Sequence, residues 1–197
     1  MKADAIWRVT EALRDRLALA LATPPNPPNP ADVFIGPLDD ANATAARLFL
    51  FLYRVIPNTT LRNQEHRVAS SSATQPVVVY QNALPLDLYF LLTVGSNPNG
   101  SEEQLLGGLG LAMQALQHDT ELGGQRLGYE TVHISLESLG TDEISRIWAL
   151  FPTANYRTTV AYVVGPVWVD PALSTGPARP VLQDELQSGV KSVEALP

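Results

Sequence analysis

The stretch Pro85–Gln117, PLDLYFLLTVGSNPNGSEEQLLGGLGLAMQALQ, decides the fold class. Leu86 to Val94 is a nearly unbroken apolar run that includes the β-favouring Tyr89, Phe90, Thr93 and Val94. A run of that length between turn residues reads as a strand buried on both faces. Gly95-Ser96-Asn97-Pro98-Asn99-Gly100 stops it, since these residue types favour turns over a ladder. Ser101 then stands where a helix N-cap belongs, with Glu102 and Glu103 at the positive end of the helix dipole. Leu105, Leu109, Ala112, Met113 and Leu116 follow at helical spacing, which gives the helix one apolar face. A strand therefore feeds a helix that lies back on it.

Outward from this unit, the chain supplies more strands and more helix. Ala46–Ile56, ARLFLFLYRVI, predicts a central strand because both alternating sets are apolar. Leu48, Leu50 and Leu52 fall on one face, and Phe49, Phe51, Tyr53 and Val55 on the other. Residues 129–137 alternate Val132, Ile134 and Leu136 with Thr131, His133 and Ser135, which predicts a strand with one polar face near a sheet edge. Residues 159–169 form the last regular strand. The Gly165-Pro166 step inside it demands an edge or a bulge, because proline brings no amide donor. Val33-Phe34-Ile35 is a short strand candidate, stopped by Gly36-Pro37.

A first helix is predicted over residues 4–22, where Ile6, Val9, Leu13, Leu17 and Leu21 form a stripe, Asp4 is placed to cap and Trp7 lies beside the stripe. TPPNPPNP, residues 23–30, ends it as a stiff extended connector. Residues 58–83 read as a long polar excursion with an apolar island at Val77–Tyr80. A short third helix runs from Thr141 to Phe151. With Thr141 as its N-cap, Ile144 stands where a capping box would hold Glu. The expected fold is a single α/β domain, residues 1–170, with a mixed β-sheet flanked by helices. Residues 171–197 form an extended C-terminal tail rich in Pro, Ser and Gln.

Composition narrows the function classes. The 197 residues are 45% hydrophobic and 17% charged, which suits a chain with a sizeable core. A net charge of −7 opposes a nucleic-acid partner, whose phosphates need a basic footprint. The absence of cysteine removes disulfides, thiolate metal sites and a cysteine nucleophile, and fits a cytosolic protein. The opening residues carry Glu11, Arg14, Asp15 and Arg16, unlike a secretory h-region, and no stretch is long enough for a membrane span.

Enzyme motifs are sparse, and no catalytic, cofactor or metal set is read. Gly107, Gly108 and Gly110 resemble half a dinucleotide fingerprint, but they lie inside a helix, where they read as close packing against the sheet. His66, His118 and His133 have no local pairing of the kind zinc sites use. Ser70-Ser71-Ser72 lacks a nucleophile-elbow context. Asp87, inside the most apolar strand, needs a partner: Arg54, Arg62 or a subunit boundary. Arg62 and Asn63 lie just past the central strand, either to hold the local turn or to offer a fork to a neighbour's carboxylate.

Several ordered pieces carry a family resemblance. LFLYRV runs into Pro57-Asn58 and Leu61-Arg62-Asn63, then Pro85–Thr93, then Glu103-Gln104-Leu105-Leu106-Gly107. Ile147-Trp148 and Tyr156-Arg157-Thr158-Thr159-Val160-Ala161-Tyr162 follow in order. Together, over roughly residues 3–170, the chain resembles the N-terminal domain of the cap, or tail-terminator, proteins of contractile injection systems. Thr159 departs from the serine expected there but keeps a hydroxyl.

The resemblance implies a non-enzymatic structural protein: a homo-hexameric ring that ends tube and sheath polymerisation at one end of a phage-tail-like particle. It also implies assembly in the cytoplasm, with tube and sheath proteins as partners and neither nucleic acid nor membrane. Interface candidates are Arg54, Arg62, Asn63, Asp87 and Trp168, the last on a strand, Val167–Val169, read as an edge open to exchange. The tail is expected to order only against a partner. A small α/β enzyme, or a monomeric partner-binding or assembly-chaperone module, are the other readings that the residues leave open.

Overall fold

Two strands of eleven residues, β5 (Leu84–Val94) and β8 (Thr159–Val169), pair antiparallel at the centre of a six-stranded sheet. The remaining strands of that sheet are β1 (Val33–Ile35), β2 (Leu48–Pro57), β6 (Glu121–Leu122) and β7 (Val132–Glu137), in the order β1-β2-β5-β8-β7-β6. Only β1 and β2 run parallel, so the sheet is mixed. The structure, a computed structural model, describes residues 3–22, 25–43, 46–68, 77–95, 100–128, 130–172 and 176–177. The expected single α/β domain is what it contains.

Helices α1 (Ala5–Leu21) and α2 (Glu102–His118) cover one face. The stripe Val9, Leu13, Leu17 and Leu21 meets Leu109, Ala112 and Leu116 of α2, and both meet Leu48, Leu50, Leu88, Phe90 and Leu92 from the strands. Burying each large side chain contributes roughly 1.5–3 kcal/mol. Asp4 precedes α1 but does not cap it through its side chain; its carboxylate holds Arg8 instead, at 2.7 Å. Ser101 does cap α2: its Oγ accepts from the Gln104 amide, and Gln104 Oε1 accepts from the Ser101 amide, both at 3.3 Å. Gly95 is obligatory between β5 and α2, because a Cβ there would run into the backbone of Ala46. The helix glycines behave differently from the expected close packing on the sheet. Gly108 faces Leu21 of α1, and Gly107 and Gly110 face open space.

On the opposite face α3 (Thr141–Trp148) packs over the β1–β2 end. Its N-cap is Gly140, one residue earlier than expected, which brings Glu143 rather than Ile144 into the reciprocal position. The Glu143 carboxylate accepts from the Gly140 amide at 2.9 Å. The α3 side chains and Phe151 build a second, aromatic core with Phe49, Phe51 and Phe34. The Phe51 and Phe151 rings meet edge-on at 5.2 Å.

Two bulges shift the alternation read from sequence. In β2 the register against β5 slips between Leu52 and Arg54. Arg54 therefore opposes Tyr89, and Val55 opposes Leu88 on the other face, contrary to the predicted alignment of Val55 with the phenylalanines. In β8 the extra residue falls at Gly165-Pro166, a cis peptide, opposite Asp87. Pro166 is thus tolerated by a bulge inside the sheet, not by an edge, since β8 has β5 on one side and β7 on the other.

The described residues of the long excursion include two short strands. β3 (His66–Val68) and β4 (Val78–Tyr80) pair antiparallel, and β4 is the apolar island. Within the expected tail, β9 (Gly176–Pro177) folds back onto β4 of the same chain. Residues 178–197 lie outside the described residues.

Candidate assembly interface

Beyond Phe51 the described helices leave the sheet face bare. Register places two rows of side chains across four strands there. Arg54, Tyr89, Val163 and Ser135 form one row. Ile56, Asp87, Gly165 and His133 form the next. Arg54, Ser135 and His133 are exposed, while Ile56, Asp87, Tyr89 and Val163 are half-buried. The bulge in β2 turns both Tyr53 and Arg54 toward Tyr89. The two tyrosine rings meet at 6.1 Å, and the Arg54 guanidinium carbon lies 5.3 Å from the Tyr89 ring centroid. Burial, with the charge of Glu137 adding to it, pushes the Tyr53 hydroxyl above its usual pKa, so it stays a neutral donor.

Asp87 sits at the centre of the second row and its partner is not an arginine. Asn58 Nδ2 donates to both carboxylate oxygens at 3.1 Å. The same Asn58 accepts, through Oδ1, from the amides of Thr60 at 3.1 Å and Leu61 at 3.2 Å, while its own amide donates to the Pro85 carbonyl at 2.8 Å. Asn58 thus ties β5 to the turn after β2. A Cβ on Gly165 would collide with Asp87 Oδ1, so the glycine of the β8 bulge is fixed by the carboxylate that overlies it. Asp87 was expected to pair with Arg54 or Arg62, or to face a subunit boundary. An amide satisfies it instead because Asn58 lies directly across the β2–β5 ladder end, while Arg54 is drawn over Tyr89.

The turn that Asn58 holds presents Arg62 and Asn63, both exposed. Because Asn58 makes the turn's side-chain bonds, the local-turn reading of Arg62 and Asn63 has no bond to support it among the described residues. Among those residues no ion pair engages Arg54 or Arg62 either. Arg54, Asp87, Arg62 and Asn63 lie at one end of the β2–β5 ladder, and the sequence reading did not name Asn58 as the partner of Asp87. Its signal was present: Asn directly after Pro57 at a strand end is a side-chain-bonded turn.

Trp168 is used within the chain. Its ring stacks on His66 at 4.7 Å and 6°, and its backbone pairs with Pro85, so one side of the 167–169 segment is already occupied by β5. Thr159, at the departure from the expected serine, places its hydroxyl 3.1 Å from that of the fully buried Thr93 and donates to the Arg157 carbonyl at 2.9 Å.

Comparison with known proteins gives this geometry a context. Two solved cryo-EM structures share the fold. One is described as the sheath/tube terminator, in the extended state, of the PVC extracellular contractile injection system. It aligns with a TM-score of 0.57 at 16% identity, over 98% of this chain and 65% of that one. The other is the tube-terminating cap of the anti-feeding prophage, with a TM-score of 0.57 at 17% identity, over 90% of this chain and 59% of that one. The chain therefore spans less than two thirds of the length of either. A search of curated protein sequences returned no match. The family model described as the Pvc16 N-terminal domain matches residues 8–183, including both halves of the sheet, the small β3-β4-β9 sheet and the bare face, and the chain belongs to that family.

Proposed function

We propose that this chain forms the body of a cap that ends the tube and sheath of a contractile injection system. In this reading it works as a homo-hexameric ring, assembled in the cytoplasm as part of a phage-tail-like particle. The observation that carries the reading is the family match over residues 8–183. The bare face supports it: Tyr53, Arg54, Tyr89, Asp87 and His133 make the mixed aromatic and charged surface that protein interfaces favour, mounted on a rigid sheet. The exposed Arg62 and Asn63 extend that surface beyond the ladder, where an arginine fork can take a neighbour's carboxylate. The role is mechanical and calls on no cofactor. The division into a body of residues 1–170 and a tail of 171–197 is part of the proposal, with Gly176–Pro177 as the point where the tail is anchored.

The test is solution mass, measured on the protein alone and with tube protein, together with the length distribution of tubes grown in its presence. A hexamer on contact with tube, and tubes that stop growing, are expected. A persistent monomer that leaves tube growth unchanged would favour a chaperone or binding module and refute the ring.

A further inference from the structure

Away from the bare face, three polar side chains from distant parts of the chain meet where the small sheet joins the large one. His66 begins β3, Glu130 precedes β7 and Asp170 follows β8. Their side chains are only 7%, 13% and 5% exposed. Asp170 Oδ1 lies 2.6 Å from His66 Nδ1, and Glu130 Oε2 lies 3.3 Å from His66 Nε2. The imidazole is clamped in plane by Trp168 and by Tyr80, whose ring lies 6.3 Å away at 28°. A cavity of about 220 Å³, lined by Glu130, Asp170, Tyr80 and Arg8 among others, adjoins the group.

We propose that His66, Glu130 and Asp170 form a binding site for a divalent transition cation of the zinc class. Nδ1 faces Asp170 and Nε2 faces Glu130, so a divalent cation seated between Nε2 and Oε2 would take the place of the hydrogen bond between them. Ligand atoms about 2.0–2.2 Å from a tetrahedral zinc ion stand roughly 3.4 Å from one another. The Nε2–Oε2 separation of 3.3 Å already has that spacing. Asp170 then plays the part of the carboxylate that fixes a ligating histidine's tautomer and raises its basicity. The cavity leaves room for waters to complete the shell. Imidazole with carboxylate selects zinc-like ions over magnesium or calcium, which prefer all-oxygen shells. An ion here would cross-link β3, the strand entry at β7 and the exit of β8.

The experiment is calorimetric titration of the chelator-treated full chain with zinc chloride, with thermal melting in parallel. One equivalent and a raised Tm are expected, with no response to magnesium. Glu130→Gln and His66→Gln should each weaken binding at least tenfold, and Asp170→Asn by roughly 10–100-fold. His133→Gln is the control, because His133 and Glu121 form a surface pair at 3.6 Å that is the competing place for zinc. Cobalt(II) added to the unsubstituted chain should give a visible absorption band that zinc abolishes, which keeps the test decisive if His66→Gln does not fold. Absence of stoichiometric binding, binding that His133→Gln removes, or binding that survives both Glu130→Gln and His66→Gln would overturn the proposal; the first outcome would leave a proton as the charge between Nε2 and Glu130.

Discussion

The two faces of the central sheet are made from the same strands and obey different rules. The face under α1 and α2 is a continuous apolar layer in which Leu88, Leu48 and Phe90 are completely buried. Its organisation is periodicity: residues two apart in strands meet residues three or four apart in helices. Among the described residues the opposite face is covered only as far as Phe51. Past that point it is shaped by two bulges and by one asparagine–aspartate contact. The first face needs only apolar residues at the right spacing. The second depends on particular residues at particular positions, as the proposed contact with a neighbour would require.

That contrast is open to direct attack. The largest effect should come from the covered face. Leu88→Ala, at a fully buried core site between β2 and β8, is expected to cost about 2–5 kcal/mol in urea unfolding, with the cavity adding to the lost transfer energy. A cost below about 1 kcal/mol would mean that this layer is far less tightly packed than described.

Next comes the bulge. Gly165→Ala is expected to cost about 1–3 kcal/mol through the clash with Asp87. Asp87→Ala should cost about as much by leaving Asn58 Nδ2 unpaired. Combined, the two should cost clearly less than their sum, because removing the carboxylate makes room for the new methyl group. Strict additivity in that double-mutant cycle would break the link between Asp87 and the bulge.

A smaller effect belongs to the rim of the covered face, where Asp15 of α1 bonds Arg14 and Arg126. Burial pushes Asp15 up, but the hydrogen bonds and charges of the two arginines outweigh it and lower its pKa below the usual 3.8. A carboxylate depressed on folding adds stability that is fully present above its unfolded value and is lost as pH falls through the folded one. Stability of the unsubstituted chain should therefore fall below about pH 3.8, and Asp15→Asn should flatten that part of the profile. An unchanged profile would show that the bonds to Arg14 and Arg126 add nothing in solution.

The smallest change in stability is expected from Arg54→Ser with Arg62→Ser, within about 0.5 kcal/mol, since both side chains are exposed and neither is in an ion pair among the described residues. Ring formation, measured by solution mass with tube protein, should nevertheless be lost. If the double variant assembles normally, the bare face is not the interface.

The covered face was legible in the sequence for the same reason that it is robust. The stripes of α1 and α2 and the apolar runs of β2, β5 and β8 each repeat a signal several times, so boundaries moved by only a few residues. The bare face turns on single residues. A bulge at Tyr53 is invisible to alternation, and it moved Arg54 and Val55 to opposite faces from those expected. Asp87 was recognised as a charge in need of a partner, but a neutral side chain across the ladder end satisfies it as well as an arginine would. The meeting of His66, Glu130 and Asp170 had no local trace, because the three arrive from separate strands and only the topology joins them. The small sheet was missed because three-residue strands such as β3 carry too little pattern to stand out from a polar loop.

The length of β5 and β8 bears on how such a body responds to load. Their hydrogen bonds lie perpendicular to the strands and run from Leu84–Val169 to Thr93–Thr159, so a pull along the strand axis strains the whole ladder at once. β1 and β6 are held by three and two residue pairs, and a sideways pull on them opens one bond after another, like a zipper. The molecule is therefore stiff in shear through its middle and compliant in peel at its margins. A chain built this way can bear tension along its central strands while its edges yield first.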